Sequence, residues 1–203
     1  MSSIDNLRRN YYAAIYADPP WRFQTYDKRE VVHSTVRRGG DRLQAATHYC
    51  SMTIEDIRAL PVASLAADDC VLFLWITWPM LLHALSVIEP WGFKYKTCAF
   101  SWTKARADQI EMFRDDFDAQ MGNGYWTRAN NEACLLATRG NPKRLNADVR
   151  QAIVEPRREH SRKPDCIYGR IERLVPGPYL ELFARRRWPG WDAWGNEVPE
   201  AAE

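Results

Sequence analysis

Tyr11-Tyr12-Ala13-Ala14-Ile15-Tyr16-Ala17-Asp18-Pro19-Pro20-Trp21 decides how the rest of the chain is read. Seven uncharged residues rich in strand formers end abruptly at a carboxylate, two prolines and an indole. A run apolar on both sides of its pleat is the pattern of a strand buried on both faces. Proline supplies no N–H to a ladder and fixes φ, so the chain must leave the sheet at Asp18 in an extended path.

Working outward, the same kind of run recurs at Cys70 to Ile76, Phe93 to Trp102, Glu132 to Thr138 and Tyr179 to Ala184, with a weaker one at Gln151 to Glu155. Helical patterns lie between them. Thr53-Ile54-Glu55-Asp56 resembles a capping box opening a short helix. A second helix is expected from Trp78 to about Glu89 and a polar one from Ala107 to about Ala119. A fourth, Asp165 to Leu174, carries Ile167, Ile171 and Leu174 on one face. Strands alternating with helices predict an α/β fold, a mostly parallel sheet with helices on both faces. Residues 22–49 and 104–128 contain the stretches that break the alternation, one basic and one rich in glycine and aromatics. Both follow strands, on the side where open α/β sheets bind ligands.

A chain of 203 residues with 46% hydrophobic and 27% charged residues has the material for one domain, read here as 1–203. No run reaches the roughly 18 apolar residues of a membrane helix, and the N-terminus lacks a secretory layout. The 5 cysteines are odd in number and form no CxxC pair, so neither a disulfide framework nor a metal site is expected. A cytoplasmic, reducing location follows. Net charge is only +2, yet residues 139–187 hold 13 Lys/Arg against 6 Asp/Glu, and 22–48 hold 6 against 3. Such a region suits a polyanion; a solvated helix face reads equally well from charge alone.

Asp18-Pro19-Pro20-Trp21 carries the chemistry. One carboxylate, one backbone carbonyl and one flat ring form a site for a planar group bearing an NH2. Asp18 and the Pro19 carbonyl would accept the two amine hydrogens while Trp21 stacks on the ring. An ordinary strand-ending turn is the plainer reading of the same four residues.

The tetrapeptide and its context resemble a known family. Leu72-Phe73-Leu74-Trp75, Ser101-Trp102-Thr103-Lys104, Gly124-Tyr125-Trp126, His160-Ser161-Arg162-Lys163-Pro164-Asp165, Glu181-Leu182-Phe183-Ala184-Arg185 and Trp194-Gly195-Asn196-Glu197 follow in order. Together they resemble the S-adenosylmethionine-dependent adenine-N6 methyltransferases with the Asp-Pro-Pro-Trp signature. That family includes the catalytic subunit of the messenger-RNA adenosine methyltransferase and compact bacterial and phage enzymes. The likeness runs from about Ala14 to Glu197.

The resemblance implies a Rossmann-like sheet in which the catalytic motif precedes the cofactor motifs in sequence. It implies S-adenosylmethionine as cofactor and Asp18, Pro19, Pro20 and Trp21 as the catalytic turn. Lys163 matches a lysine that meets the methionine carboxylate, Arg185 an arginine near the ribose, and Asn196 and Glu197 residues on the ribose hydroxyls and adenine edge. Asp5 is the candidate adenine-edge aspartate, at a shorter spacing to Asp18 than the family has. For the acceptor base, Tyr49 aligns with a rim tyrosine, and Trp102, Lys104, Asn123 and Trp126 are candidates to line its pocket. Arg22, Arg37, Arg38 and Arg128 are candidate phosphate contacts.

The chain has no GxGxxG loop, which argues against a dinucleotide and leaves S-adenosylmethionine, with no pyrophosphate to hold, unaffected. It also lacks the extensions of the eukaryotic enzymes, so it would grip nucleic acid with its own loops, as a homodimer, or with an unseen partner. DNA is the favoured substrate; RNA, or a role as a non-catalytic nucleic-acid-binding subunit, is the alternative. If Arg37 and Arg38 meet phosphates, replacing both by alanine will weaken binding and flatten its salt dependence by about two counterions. An unchanged slope in a salt titration removes them from the interface.

Overall fold

The computed structural model describes residues 3–21, 52–105, 126–127, 129–156 and 162–198. Seven strands are present: β1 (Tyr12–Ala17), β2 (Ala66–Ile76), β3 (Lys94–Ala105), β4 (Asn131–Arg139), β5 (Ala152–Pro156), β6 (Tyr179–Leu182) and β7 (Trp191–Trp194). Three α-helices accompany them: α1 (Ile54–Ala59), α2 (Leu81–Ile88) and α3 (Cys166–Leu174). The strands form one sheet in the order β5-β3-β4-β2-β1-β6-β7. β1 pairs in parallel with both β2 and β6, β6 with β7 and β3 with β5, whereas β4 is antiparallel to β2 and β3. Among the described strands β4 alone is reversed. This is an α/β fold consistent with a Rossmann-like methyltransferase.

β1 lies inside the sheet, between β2 and β6, because its side chains are apolar in both directions. Ile15 and Ala17 join one core cluster, with Leu72, Leu74, Leu135, Leu180, Ile57 of α1 and Val87 and Ile88 of α2. Ala14 and Tyr16 join the other, with Phe73, Trp75, Phe100, Ile153 and Ile167, Tyr168 and Ile171 of α3. Both faces are therefore covered, and each large side chain fully buried there contributes about 1.5–3 kcal/mol. Trp91, fully buried, donates its indole N–H to the Ile57 carbonyl at 2.9 Å and so ties the chain after α2 to α1.

Local signals account for most boundaries. Thr53 caps α1, its Oγ1 accepting from the Asp56 N–H at 3.1 Å. The expected helix from Trp78 opens instead as the tight turn Trp78–Met80, and α2 proper starts at Leu81, because Pro79 sits in the first turn. β2 begins four residues earlier than expected, since Ala66 still pairs with Tyr12 although Asp68 and Asp69 are exposed. β7 was not expected at all; Tyr12 ties it to β1 by donating its hydroxyl to Asp192 at 2.6 Å. The helix expected over 107–119 lies outside the described residues.

The connection from β1 to β2 carries α1 on one face, and that from β5 to β6 carries α3 on the other. β1 and β6 are neighbours, so a crevice opens beyond their C-terminal ends. Asp18, Thr77, Phe183 and Gly195 follow strands onto that edge, where β3 and β5 end at Ala105 and Pro156, joined there by the first residues of the reversed β4. Trp21 also bridges to Met52 there. Much of the basic region lies elsewhere. Arg139 donates to the Ala63 carbonyl at 2.5 Å, Arg170 to the Arg150 carbonyl at 2.6 Å, and Arg173 pairs with Asp148 near the opposite edge.

Gly195 fixes the path of the chain beyond β7. A Cβ there would stand 2.0 Å from the Ala184 carbonyl oxygen and 2.6 Å from its nitrogen, both backbone atoms. Gly195→Ala will therefore cost about 1–3 kcal/mol, the usual penalty for overpacking. A urea unfolding curve checks this; an unmoved midpoint shows that the two segments separate freely.

Candidate active site

Four charged side chains from four distant parts of the sequence alternate in sign along the edge. Lys163, just before α3, donates to Asp18 Oδ2 at 2.8 Å and pairs with Glu132 Oε2 at 3.2 Å. Lys104, near the end of β3, pairs with Glu132 Oε1. The Lys163 side chain is only 11% exposed and Glu132 15%. Beneath them Lys163 Nζ lies 5.4 Å from the Trp75 ring centroid, and Lys104 Nζ lies 5.2 Å from that of Trp102, cation–π distances in both cases.

These contacts set the protonation states. Burial raises the Asp18 carboxyl above its ordinary value, against the lowering pull of the Lys163 ammonium. Glu132 is also pushed up by burial, but Lys163 and Lys104 together bring it below the ordinary range. Burial disfavours the Lys163 charge, yet Asp18 and Glu132 hold its value above that of a free lysine. The ammonium stays charged because two carboxylates compensate its lost hydration.

The turn after Asp18 is more committed than the sequence suggests. The Pro19 carbonyl accepts the Trp21 N–H at 2.8 Å, and the Pro20 carbonyl accepts the Met52 N–H at 3.3 Å. Each oxygen keeps one further lone pair. The Trp21 indole N–H donates to the Trp75 carbonyl at 2.9 Å, which fixes the ring against the core.

Beside Asp18 opens a cavity of about 370 Å³, lined by Tyr16, Asp18, Arg162, Lys163, Tyr168, Glu181, Phe183, Arg185, Arg186 and Glu197. Its volume and mixed charge fit S-adenosylmethionine: cations for a carboxylate, carboxylates for an ammonium, a sulfonium and ribose hydroxyls, and a phenyl ring for a base. Asp18, Lys163, Arg185 and Glu197, expected from the sequence, are thus brought together. Asn196 is exposed beside Glu197 and does not line the cavity.

Tyr16, Arg162, Tyr168, Glu181, Phe183 and Arg186 were not foreseen. Arg186 and Arg162 are steered by Asp165, which pairs with both. Glu181, 8% exposed, accepts from the Tyr168 hydroxyl at 2.9 Å. Burial pushes its carboxyl up to about 7, the Tyr168 hydrogen bond opposing and the Asp18 charge adding. Phe183 holds φ at +62°, a left-handed conformation that a bulky residue rarely adopts and that tends to cluster at functional sites. No sequence signal marks it.

Other expectations need correction. Asp5 is not near the cavity: it bonds to Ser3 and to Arg9, whose guanidinium reaches Ser64 at the opposite end of β1, a strand roughly 20 Å long. Trp102 is 3% exposed and donates its indole N–H to the Glu155 carbonyl at 3.0 Å, so it belongs to the core. Trp126, a candidate for the base pocket and not for this cavity, is 99% exposed. Tyr49, Asn123, Arg22, Arg37, Arg38 and Arg128 lie outside the described residues. No group of three metal-type side chains occurs among the described residues, and none of their helices is long and apolar enough to cross a membrane.

The chain is similar to known proteins over most of its length. The chain is 33% identical over 207 residues to the type II methyltransferase M.MunI of Mycoplasma sp, covering 96% of this chain and 81% of that protein. It is 31% identical over 192 residues to the N(6)-adenosine-methyltransferase MT-A70-like protein of Drosophila melanogaster and 30% identical to the human N(6)-adenosine-methyltransferase catalytic subunit METTL3. Those two alignments cover 92% of this chain but only 27% and 28% of the relatives, so the chain spans about a quarter of their length. The family model MT-A70 matches residues 12–197, which include every described residue of the charge array and the cavity, and the chain belongs to that methyltransferase family.

Proposed function

We propose that the protein transfers a methyl group from S-adenosylmethionine to the exocyclic N6 amine of adenine in nucleic acid, with DNA as the substrate. The observation that carries this reading is the Asp18 carboxylate, fixed by a buried ammonium at the mouth of a cavity of mixed charge. When bound, the cofactor supplies an electrophilic methyl group on a sulfonium; the protein supplies position and charge. With Asp18 Oδ2 engaged by Lys163, Oδ1 is the oxygen that accepts an amine hydrogen. The remaining lone pair of the Pro19 carbonyl takes the other hydrogen, which favours a pyramidal nitrogen. Trp21, pinned to Trp75, offers a ring to the base. Positive charge growing on the nitrogen is stabilised by Asp18, in a site where charges act at low dielectric. The nitrogen then sheds a proton to water, so no separate base is assigned.

Lys163, Arg185 and Glu197, which line the cavity, are assigned to the cofactor. The family motif that carries the reaction, at Asp18, precedes these cofactor residues in sequence. Residues 1–203 are read as a single methyltransferase domain in the cytoplasm. Residues 22–49 and 104–128 are its substrate loops. The strands that flank them, β1, β3 and β4, meet the same edge, which supports a clamp around a base flipped from its stack at a cost of about a few kcal/mol. DNA is favoured because the likeness to the type II methyltransferase spans most of both proteins. RNA remains the second reading on the adenosine methyltransferase likeness.

Radiolabelled S-adenosylmethionine offered with duplex DNA, single-stranded DNA, structured RNA and unstructured RNA tests the proposal. Label recovered as N6-methyladenine from DNA is expected. Label from RNA alone reverses the choice of polymer, and no label with cofactor binding intact points to a non-catalytic subunit. Asp18→Ala will lower transfer by at least about 10²–10³-fold. Lys163 keeps Glu132 as a partner, so the variant will stay folded by circular dichroism. Appreciable turnover by that variant sinks the role given to Asp18.

Glu181 predicts a pH dependence. Its carboxyl lies near 7 in the folded chain against 4.5 when free, so the native state holds the proton more tightly. The stability this contributes is complete below about pH 4.5 and is lost as pH rises through about 7. Ionisation adds a negative charge to the cavity, so affinity for the cationic cofactor will rise over the same interval. Glu181→Gln will flatten both curves, in calorimetric titration and in unfolding; parallel curves for variant and wild type exclude the assignment.

A further inference from the structure

Trp78 is an exposed aromatic that the reaction centre does not use. It lies two residues beyond β2, in the turn Trp78–Met80, and is 50% exposed. Its indole N–H donates to Asn131 Oδ1 at 3.3 Å, and the Asn131 amide donates in turn to Ser101 Oγ at 2.8 Å and Thr103 Oγ1 at 3.3 Å. The ring is thereby anchored to β3 and β4, and Pro79 restricts the backbone that bears it.

Its position relative to Asp18 follows from register. Ala17 pairs with Leu74, which sets Asp18 level with Trp75; three residues of rise carry the chain to Trp78, roughly 10 Å further out. Ile76 pairs with Ala133, so Trp78 and Asn131 stand one step beyond Glu132 on the same lip. The ring therefore overlooks the approach to the charge array.

A flat apolar face held at its polar edge suits a nucleobase. Every base has a π-face, and stacking on an aromatic side chain is tolerant of sequence. A base flipped out leaves its neighbour with one face unstacked, and an indole can replace the lost contact. A protein partner fits less well. Among the described residues Leu82, on the first turn of α2, and Trp126, ahead of β4, are also exposed, whereas Tyr11, Tyr95, Leu145 and Val154 lie on other parts of the fold. Three side chains fall short of the about 800 Å² per partner that a stable interface buries.

We propose that Trp78 is the stacking face for a nucleobase flanking the target adenine. This rests on the reading that the substrate is nucleic acid. The test uses an oligonucleotide containing the adenine that the wild-type enzyme methylates, with a single abasic site moved through the positions on either side. Trp78→Ala is expected to raise KM about tenfold and to move kcat far less, with Trp78→Phe restoring most of the loss. At one flanking position the abasic site will raise the wild-type KM by a similar factor and add nothing to Trp78→Ala.

A wild-type KM in Trp78→Ala overturns the proposal, as do penalties that multiply at every position. A change of oligomeric state in Trp78→Ala, read by sedimentation, makes the ring a subunit contact and also overturns it. If the wild-type enzyme methylates no polymer, the reading of the substrate fails first and this inference falls with it; an active wild type with an indifferent Trp78→Ala sinks the stacking role alone.

Discussion

A lysine ammonium held out of water constrains this edge of the molecule more than any other single contact. Moving such a group from water costs several kcal/mol even after the protein relaxes, and one carboxylate rarely repays that. Lys163 has two, Asp18 and Glu132. Two carboxylates on one ammonium leave an excess negative charge, and Lys104 on the far side of Glu132 restores balance. The array is neutral as a whole yet strongly polar at each step. It holds Asp18 in one orientation through the Lys163 ammonium.

That array explains why one strand must run backwards. In a wholly parallel sheet only the last residues of each strand reach the crevice. Reversing β4 brings its first residues there, so Glu132 lies beside the end of β3 and beside the segment leading into α3. The hydrogen bond from the Lys104 N–H to the Asn130 carbonyl at 2.9 Å closes the β3–β4 approach at the lip itself. Bridge and ladder together make the active edge the place where Trp21 meets Met52 and Thr103 meets Asn131. On the proposed reading the surface must open for a polymer and still exclude water, and segments rooted in the same rim serve that need.

The strands that carry the crevice were legible because β1, β2 and β6 are apolar toward both faces, and the abrupt Asp-Pro-Pro marked where the chain leaves the sheet. What escaped was whatever depended on depth along a strand. Trp102 and Lys104 were both candidates to line a pocket; they share a face of β3 two residues apart, so the indole is core and the ammonium lies over it. β7 is four residues of Trp-Asp-Ala-Trp, too short for periodicity to speak and adjacent to an acidic tail. The basic run from 139 to 187 is continuous in sequence but crosses the sheet from edge to edge. Its two ends therefore do different work, Arg139 binding carbonyls and Arg185 and Arg186 lining the cavity.

The two carboxylates of the cavity then differ for a reason that lies in their partners. Burial raises both Asp18 and Glu181, and the Asp18 charge raises Glu181 further. Asp18 has a full positive charge at 2.8 Å, whereas Glu181 has chiefly a neutral phenol at 2.9 Å. A charge-assisted bond favours the ionised acid about twice as strongly as a neutral one. In the proposed reaction Asp18 is therefore the acceptor for a nitrogen gaining positive charge, while Glu181, near 7, gains or loses its proton with the solution around it. The lysine does more than compensate a buried charge: it divides one crevice into a carboxylate that can work and a carboxyl that titrates.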